Sequence, residues 1–359
     1  MKMMKLSTKR KRLDGVDRLR ALAWLAMIVA TLGCVPRSEK DVVLYTSADR
    51  EFAAPILDAF ERANEPTTIV RQYDVESTKT VGLVTRILEE KKQPRCDVFW
   101  NNEIMHTIRL QQAGLLRSRR WPIPSQWPSA MKASDGTWVA IAGRARVLLI
   151  NREKLPDQAQ WPSSVEELSD PKWKGKCGLA LPLFGTTTTH CMVLAKRWGQ
   201  EKADAWFRQV QANAVVLSGN KQVAQAVSSG QLEWGLTDTD DALVEKENGM
   251  KVDWVFPDQR SDQMGTLLIP NTVAIIDRGP HPIAAGKLAD YLVSKGTEER
   301  LTTGNASQFP IWPGASKESA ERMQQDKSVR WMQVDFEEVA RGWDEQVKQL
   351  RSIFAPASL

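Results

Sequence analysis

Three short strand-like runs in the first part of the chain each lead through a polar loop into a helical pattern. They cover residues 42–45, 68–72 and 97–100. A continuous apolar run such as the first is typical of a strand that is buried on both faces of a parallel sheet. The carboxyl ends of such strands meet at one edge, where ligands bind. The alternation therefore predicts a doubly wound α/β sheet whose ligand edge is formed by the loops at 46–49 and 101–103.

A second series of the same kind is enclosed by two long strand-like segments. These segments cover residues 138–151 and 266–276, and only helical patterns follow the second one. Two strand crossings that enclose a βα series are typical of a hinge between two lobes. We therefore assign residues 35–143 to the first segment of lobe 1, residues 144–268 to lobe 2, and residues 269–359 to the second segment of lobe 1 with the C-terminal helices.

The loop that follows the short apolar run at 234–236 is rich in carboxylates. It reads G-L-T-D-T-D-D-A-L and places Asp238, Asp240 and Asp241 within four residues. One interpretation is structural, because Asp at an N-cap or in the first turn stabilises a helix. The other is a ligand site, because ligands bind where strands end and helices begin in open α/β sheets. The polar loops at the other strand ends favour the second interpretation.

Residues 1–34 have the pattern of an export signal. Eight Lys or Arg and two Asp precede an apolar run of 13 residues, which is shorter than the roughly 20 residues that span a bilayer. The segment T-L-G-C at 31–34 resembles the cleavage site of bacterial lipoproteins, although Thr31 and Leu32 depart from the usual pattern. We therefore predict a signal peptide with acylation of Cys34, and the alternatives are ordinary cleavage or an uncleaved anchor.

The charge distribution gives no support for nucleic-acid binding. The net charge of the chain is +5, and the first 33 residues hold eight of its 49 basic and two of its 44 acidic side chains. The remainder has 41 basic and 42 acidic side chains. The basic excess therefore belongs to the export signal and not to a binding surface.

Three cysteines follow Cys34. An exported protein can oxidise one pair, and Cys177 with Cys191 is the nearer choice, which leaves Cys96 as a small buried side chain. No C-x-x-C spacing occurs in the sequence, and this disfavours a zinc or redox site. The motifs G-x-S-x-G, H-E-x-x-H and G-x-G-x-x-G are also missing, so we predict that the protein is not an enzyme.

Six segments, taken in order, carry a family resemblance. They read V-V-L-Y-T-S-A-D, S-T-K-T-V-G-L-V-T-R-I, C-D-V-F-W-N-N-E, G-T-T-T-T-H, T-D-T-D-D-A-L-V and G-T-L-L-I-P-N-T-V-A-I-I. Together they resemble the periplasmic substrate-binding proteins of bacterial ABC importers, in the iron(III)-binding-like branch. The resemblance implies the two-lobed α/β periplasmic-binding-protein fold with two β-strand hinge crossings, which closes over its ligand.

The resemblance also implies a function, a partner and a location. The protein is expected to be a receptor for ferric iron or another hard metal cation, to deliver it to an ABC permease in the inner membrane, and to act as a monomer. It is expected in the periplasm or cell envelope, attached to the membrane only by a lipid anchor on Cys34. The alternatives are a receptor for a small organic cation or a phosphorylated solute, a sensory binding module, and an exported enzyme.

The expected site residues follow from the same resemblance. Family members that bind ferric iron use a tyrosine pair where this chain has Asp240 and Asp241, so we predict these two as metal ligands with Glu103 from the opposite lobe. Carboxylate oxygens suit hard cations. A synergistic anion is expected at a helix N-terminus. The full set of predicted ligand-binding residues is Ser47, Asp49, Asn102, Glu103, Thr186, Thr187, Asn220 and Asp238.

The three histidines are weaker candidates. His190 lies just after the threonine run at 186–189, where it is either a ligand or a packed residue. His106 lies one helical turn after Glu103, and His281 stands between two prolines, which is typical of a surface loop.

Overall fold

The structure is a computed structural model that describes residues 41–74, 81–303, 308–313 and 329–355. The predicted signal peptide and Cys34 lie outside this part of the chain. Within it, no helix combines the length and the apolar composition that a membrane crossing needs.

The first part of the described chain alternates strands and helices, as the sequence pattern predicts. The elements are β1 (Asp41–Thr46), α1 (Arg50–Ala63), β2 (Thr68–Tyr73), α2 (Val81–Glu89), β3 (Val98–Asn101) and α3 (Ile104–Gln112). Strand β1 lies between β2 and β3 and is parallel to both. Helix α1 is amphipathic and buries Ile56, Leu57 and Phe60 on one face, because apolar side chains at i, i+1 and i+4 share that face.

A long strand leads into the second alternating series, and a second long strand leads out of it. The series consists of β4 (Trp138–Asn151), β5 (Cys177–Ala180), α4 (Gly185–Trp198), α5 (Gln200–Asn213), β6 (Val215–Leu217), α6 (Asn220–Ser228), β7 (Trp234–Asp238), α7 (Thr239–Glu247) and β8 (Val252–Val255). It is followed by β9 (Leu268–Ile275), α8 (Pro282–Leu292), α9 (Lys295–Thr303), α10 (Phe336–Ala340) and α11 (Trp343–Phe354).

The hydrogen-bonded strands form one continuous path in the order β2-β1-β3-β9-β4-β7-β5-β6, with β8 paired to β4. Strands β5, β6 and β7 are parallel to one another, as β1, β2 and β3 are in the other group. The antiparallel pair β4 and β9 joins the two parallel groups. The predicted fold class, with two strand crossings between two parallel βα series, is therefore confirmed.

Strand β4 changes partners along its length. Residues 138–145 pair with β9, and residues 146–150 pair with β7. The register shifts between Ile141 and Gly143, and Ala142 between them has a positive φ of 42°. An irregularity of this kind bends a strand and redirects its side chains, so β4 can cross from one parallel group to the other.

The described residues form three clusters of buried apolar side chains, and β4 contributes to all of them. Its residues up to Ala142 belong to a cluster with β1, β3, β9 and α8. Beyond that point, Leu148 and Ile150 face a second cluster while Val147 and Leu149 face a third. Alternate residues face opposite sides of a sheet, so this part of the sheet is covered on both faces.

The C-terminal helices pack on both sides of the crossing. Phe336 of α10 and Trp343 of α11 belong to the first cluster, whereas Leu350, Ile353 and Phe354 of α11 belong to the second. The assignment of residues 269–359 to lobe 1 includes all of α11, and the end of this helix packs against the second series. Its apolar stripe at i, i+3 and i+4 is buried there against α5.

The disulfide suggested by the sequence is not formed. Cys96, Cys177 and Cys191 are all buried and free. Cys177 lies at the start of β5 and Cys191 lies in the second turn of α4, and both pack in the second apolar cluster. The two thiols therefore serve as small apolar side chains.

Candidate functional site

A cleft of about 930 Å³ opens at the carboxyl ends of the parallel strands, on the predicted ligand edge. The loops after β1, β3, β5 and β6 line it, together with the N-termini of α4, α6 and α7. Helix N-termini carry unpaired N–H groups and the positive end of the helix dipole. Among the described residues, six acidic side chains and three basic ones line the walls, which gives this lining an acidic excess.

Asp238 ends β7 and is held by Arg146 of β4. Arg146 Nη1 lies 2.6 Å from Asp238 Oδ1, and the two side chains are 0% and 3% exposed. Asp238 Oδ2 accepts hydrogen bonds from Thr186 Oγ1 at 2.6 Å and Asn220 Nδ2 at 2.8 Å. Arg146 also donates to Thr186, Thr187 and Asn220. The structure therefore brings four predicted ligand residues together, and their side chains bond to one another and to Arg146.

Asp240 lies in the first turn of α7 and pairs with Arg144, the other arginine of β4. Arg144 Nε is 3.3 Å from Asp240 Oδ2, and both side chains are 9% exposed. Burial raises the pKa of Asp240, Arg144 lowers it, and Asp238 and Asp49 raise it, so the net shift is upwards. Burial lowers the pKa of Arg144, but Asp240 and its neighbours raise it above the usual value. Arg144 is therefore a permanent cation in an acidic environment.

The acidic loop forms the candidate metal position. Asp238, Asp240 and Asp241 each place one carboxylate oxygen within 4.8 Å of the others. No other group of three His, Cys, Asp or Glu side chains in the described ranges is gathered as closely. The predicted metal ligands Asp240 and Asp241 thus lie together at the cleft, beside the ion pair that holds Asp238.

Residues of the first parallel group face the cleft from the other side. Asp49 precedes α1 and Asn102 follows β3, and both line the cleft. Ser47 is buried behind them, where its Oγ lies 2.7 Å from Asn101 Oδ1 and 2.8 Å from Asn102 Oδ1, the two acceptors within reach of its single hydroxyl proton. The Asn102 N–H donates back to Ser47 Oγ at 2.9 Å. Ser47 therefore positions Asn102 rather than lining the cleft itself.

Glu103 caps helix α3 and does not line the cleft. Its carboxylate accepts from the backbone N–H groups of Met105 at 3.1 Å and His106 at 2.7 Å. It also accepts from Thr189 Oγ1 of α4 at 2.9 Å, so it links α3 of the first alternating series to α4 of the second. Burial raises the pKa of Glu103 to about 7, against the opposing effect of these hydrogen bonds. The carboxylate that the sequence predicts as a metal ligand is therefore engaged as a helix cap and in the contact with Thr189.

His106 and His190 are buried, and His281 is partly buried. His190 makes no hydrogen bond through either ring nitrogen to a described residue, and burial together with Arg146 lowers its pKa. His106 packs against the ring of Trp343, with the ring centroids 4.6 Å apart. His281 differs from the surface-loop prediction, because its Nδ1 lies 2.8 Å from the buried Asp97 Oδ2.

The two arginines of β4 were not among the site residues predicted from the sequence. Arg144 and Arg146 are both buried, yet they stand in an otherwise apolar strand-like run. Residues two apart in a strand point to the same face, and buried charges require partners. The segment R-A-R therefore carried a signal for a buried acidic partner.

Comparisons with known proteins extend over most of the chain. Residues 109–338 match the family described as "Bacterial extracellular solute-binding protein". The chain is 26% identical over 296 residues to the major ferric iron-binding protein of Neisseria meningitidis serogroup A, covering 80% of this chain and 86% of that protein. It is 24% identical over 303 residues to the Fe(3+)-binding periplasmic protein of Serratia marcescens, covering 82% and 86%.

Solved structures share the fold. The apo ferric ion-binding protein A of Pasteurella haemolytica superimposes with a TM-score of 0.76 and 18% identity, over 89% of this chain and 100% of that chain. The periplasmic binding protein AfuA of Actinobacillus pleuropneumoniae, with fructose-6-phosphate bound, superimposes with a TM-score of 0.74 and 21% identity, over 89% and 100%. At these identities the likeness establishes the fold alone.

Proposed function

Because the chain belongs to the bacterial extracellular solute-binding protein family, we propose that it is the solute receptor of an ABC importer and that its cargo is ferric iron or another hard metal cation. The receptor clamps its cargo between the two lobes and delivers it to a permease in the inner membrane. It acts in the periplasm or cell envelope as a monomer, tethered through lipidated Cys34. Ferric iron-binding proteins among its relatives support the choice of cargo.

The gathered carboxylates of Asp238, Asp240 and Asp241 carry this proposal. Their oxygens lie within 4.8 Å of one another in the cleft, and hard cations prefer oxygen ligands. Asp238 is neutralised by Arg146, so Asp240 and Asp241 are the proposed ligands on this side. Asp49, from the loop after β1, lines the same cleft and acts electrostatically on Asp240, and it is the proposed contribution of the first lobe.

An accompanying anion is part of the proposal. Thr186 and Thr187 lie in the first turn of α4, and Asn220 begins α6. Both helix N-termini line the cleft, where backbone N–H groups and the helix dipole favour an anion. An anion held there would supply further oxygen ligands to the cation, beside the carboxylates of Asp240 and Asp241.

A phosphorylated solute is the second candidate cargo. AfuA, which has the same fold, holds fructose-6-phosphate. The cleft of about 930 Å³ is much larger than a metal ion, and it combines Arg144 with helix N-termini, which suits a phosphate group. The carboxylates would then accept hydrogen bonds from hydroxyl groups of the solute.

Elemental analysis of the native protein separates the two candidates. The protein is purified from its own cell envelope without chelators, and its metal content and bound small molecules are measured by native mass spectrometry. The metal candidate predicts one metal ion per chain in the wild type and none in the double variant Asp240→Asn with Asp241→Asn.

Glu247→Gln is the matched control, because Glu247 is an exposed carboxylate at the far end of the same helix. It should retain the metal. A metal-free wild type that carries a phosphorylated organic mass would establish the second candidate, and a wild type with neither would contradict both.

A further inference from the structure

The cleft contains a cation of its own, the guanidinium of Arg144. This side chain is buried and lines the cleft, and its Nε lies 3.3 Å from Asp240 Oδ2. Asp238, Asp49 and Asp241 also attract it. Four carboxylates from the loops on both sides of the cleft therefore act on one guanidinium.

The attachment of Arg144 to Asp240 is ionic and lacks a directional hydrogen bond. Its Nε makes no hydrogen bond with the described residues. Its Nη2 donates to Asn271 Oδ1 of β9 at 3.4 Å, and its backbone is fixed beside the irregularity at Ala142. The guanidinium can therefore leave Asp240 while the strand and the contact with Asn271 keep it near the cleft.

We propose that Arg144 sets the affinity threshold of the cleft, as a resident counter-cation that a metal ion must displace from Asp240 in order to bind. This assignment rests on the metal-receptor function proposed above. The exchange forms and breaks no covalent bond: the guanidinium withdraws from the carboxylate, and the incoming ion takes the freed oxygen.

Displacement sets a threshold that every cation has to meet. An uncompensated cluster of carboxylates binds Ca²⁺ or Mg²⁺ through oxygen ligands, and such ions would fill the cleft. Removing Arg144 from Asp240 costs the same free energy whichever ion arrives, whereas the attraction of the carboxylates grows with the charge of the ion. Arg144 therefore lowers all affinities, and the weakly bound divalent ions lose occupancy before a trivalent ion does.

Calcium and terbium chlorides test this assignment, because Ca²⁺ and Tb³⁺ are similar in size and both prefer oxygen ligands. Each is titrated by calorimetry, in a buffer that does not coordinate metals, into wild type, Arg144→Gln, Arg144→Met and Arg144→Lys. Arg152→Gln is the matched control, because Arg152 is an exposed arginine just beyond β4. Thermal melting of each apo protein establishes that it is folded, and the second neutral variant serves if one of the pair does not fold.

Both neutral variants should bind Ca²⁺ and Tb³⁺ more tightly than wild type, by about tenfold or more, which corresponds to about 1.4 kcal/mol. Arg144→Lys should stay closer to wild type, and Arg152→Gln should be indistinguishable from it. The metal should also raise the melting temperature of the neutral variants by more than that of wild type, because it replaces a missing counter-charge.

The outcomes separate this assignment from the function on which it rests. Neutral variants that bind both ions with wild-type affinity, or more weakly, would overturn the role of Arg144 and leave the metal-receptor function in place. Absence of Tb³⁺ binding in wild type and in every variant would overturn the metal cargo and this assignment together.

Discussion

Replacing Arg146 by methionine should destabilise the protein more than any surface charge mutation. Arg146 and Asp238 are 0% and 3% exposed and lie 2.6 Å apart, so the substitution leaves a carboxylate buried without its counter-charge. Breaking a buried ion pair in this way costs about 3–5 kcal/mol. The hydrogen bonds that Arg146 donates to Thr186, Thr187 and Asn220 are lost as well, at about 1 kcal/mol each.

These losses are not additive, because Thr186 and Asn220 can still donate to Asp238. We therefore expect the free energy of unfolding to fall by about 4 kcal/mol, at the middle of the range for a broken buried pair. Urea unfolding followed by circular dichroism measures it. In Arg146→Met with Asp238→Leu, no charge is left unpaired, so the double variant should be more stable than Arg146→Met alone.

Lys202→Met is the control for this measurement. Lys202 Nζ lies 3.5 Å from Glu166 Oε1, but the two side chains are 60% and 55% exposed. An exposed pair contributes at most about 1 kcal/mol. If Arg146→Met costs no more than Lys202→Met, water or a rearranged partner compensates Asp238, and the reasoning from burial is wrong.

Three further predictions concern other buried groups. The pKa of Glu103 is raised from 4.5 to about 7, so the stability that this group contributes is complete below pH 4.5 and is lost as pH rises through about 7. Urea unfolding should show that the difference in free energy of unfolding between wild type and Glu103→Gln changes by about 3 kcal/mol across this window. A difference that stays constant with pH would contradict this prediction. Burial raises the pKa of Cys177 and Cys191 to about 12, so both thiols should resist a thiol reagent in the native protein and react after unfolding, whereas rapid native labelling would show that they are accessible. Leu350 is fully buried in the second cluster, so Leu350→Ala should lower the free energy of unfolding by about 2–5 kcal/mol, while a loss below about 1 kcal/mol would mean that α11 does not hold that cluster.

The succession of elements could be predicted because it depends on local periodicity. Apolar runs such as 42–45 and 234–236 predict strands that are buried on both faces. The helical patterns between successive strands predict that these strands pair in parallel. The strand crossing at 138–151 could be predicted because this strand-like run is longer than the short runs such as 42–45. The position of α11 was not visible, because an amphipathic stripe shows that a helix is buried but does not show which cluster it faces.

The sequence by itself determined that Asp238, Asp240 and Asp241 would meet at the ligand edge, since chain neighbours at a strand end cannot be separated. Only the tertiary structure decided which of these carboxylates form ion pairs. Arg144 and Arg146 come from β4, far away along the chain, and the antiparallel pairing of Arg146 with Asp238 brings their charges to the acidic loop. Charge acts through space, and a carboxylate's environment therefore depends on which strand lies beside it.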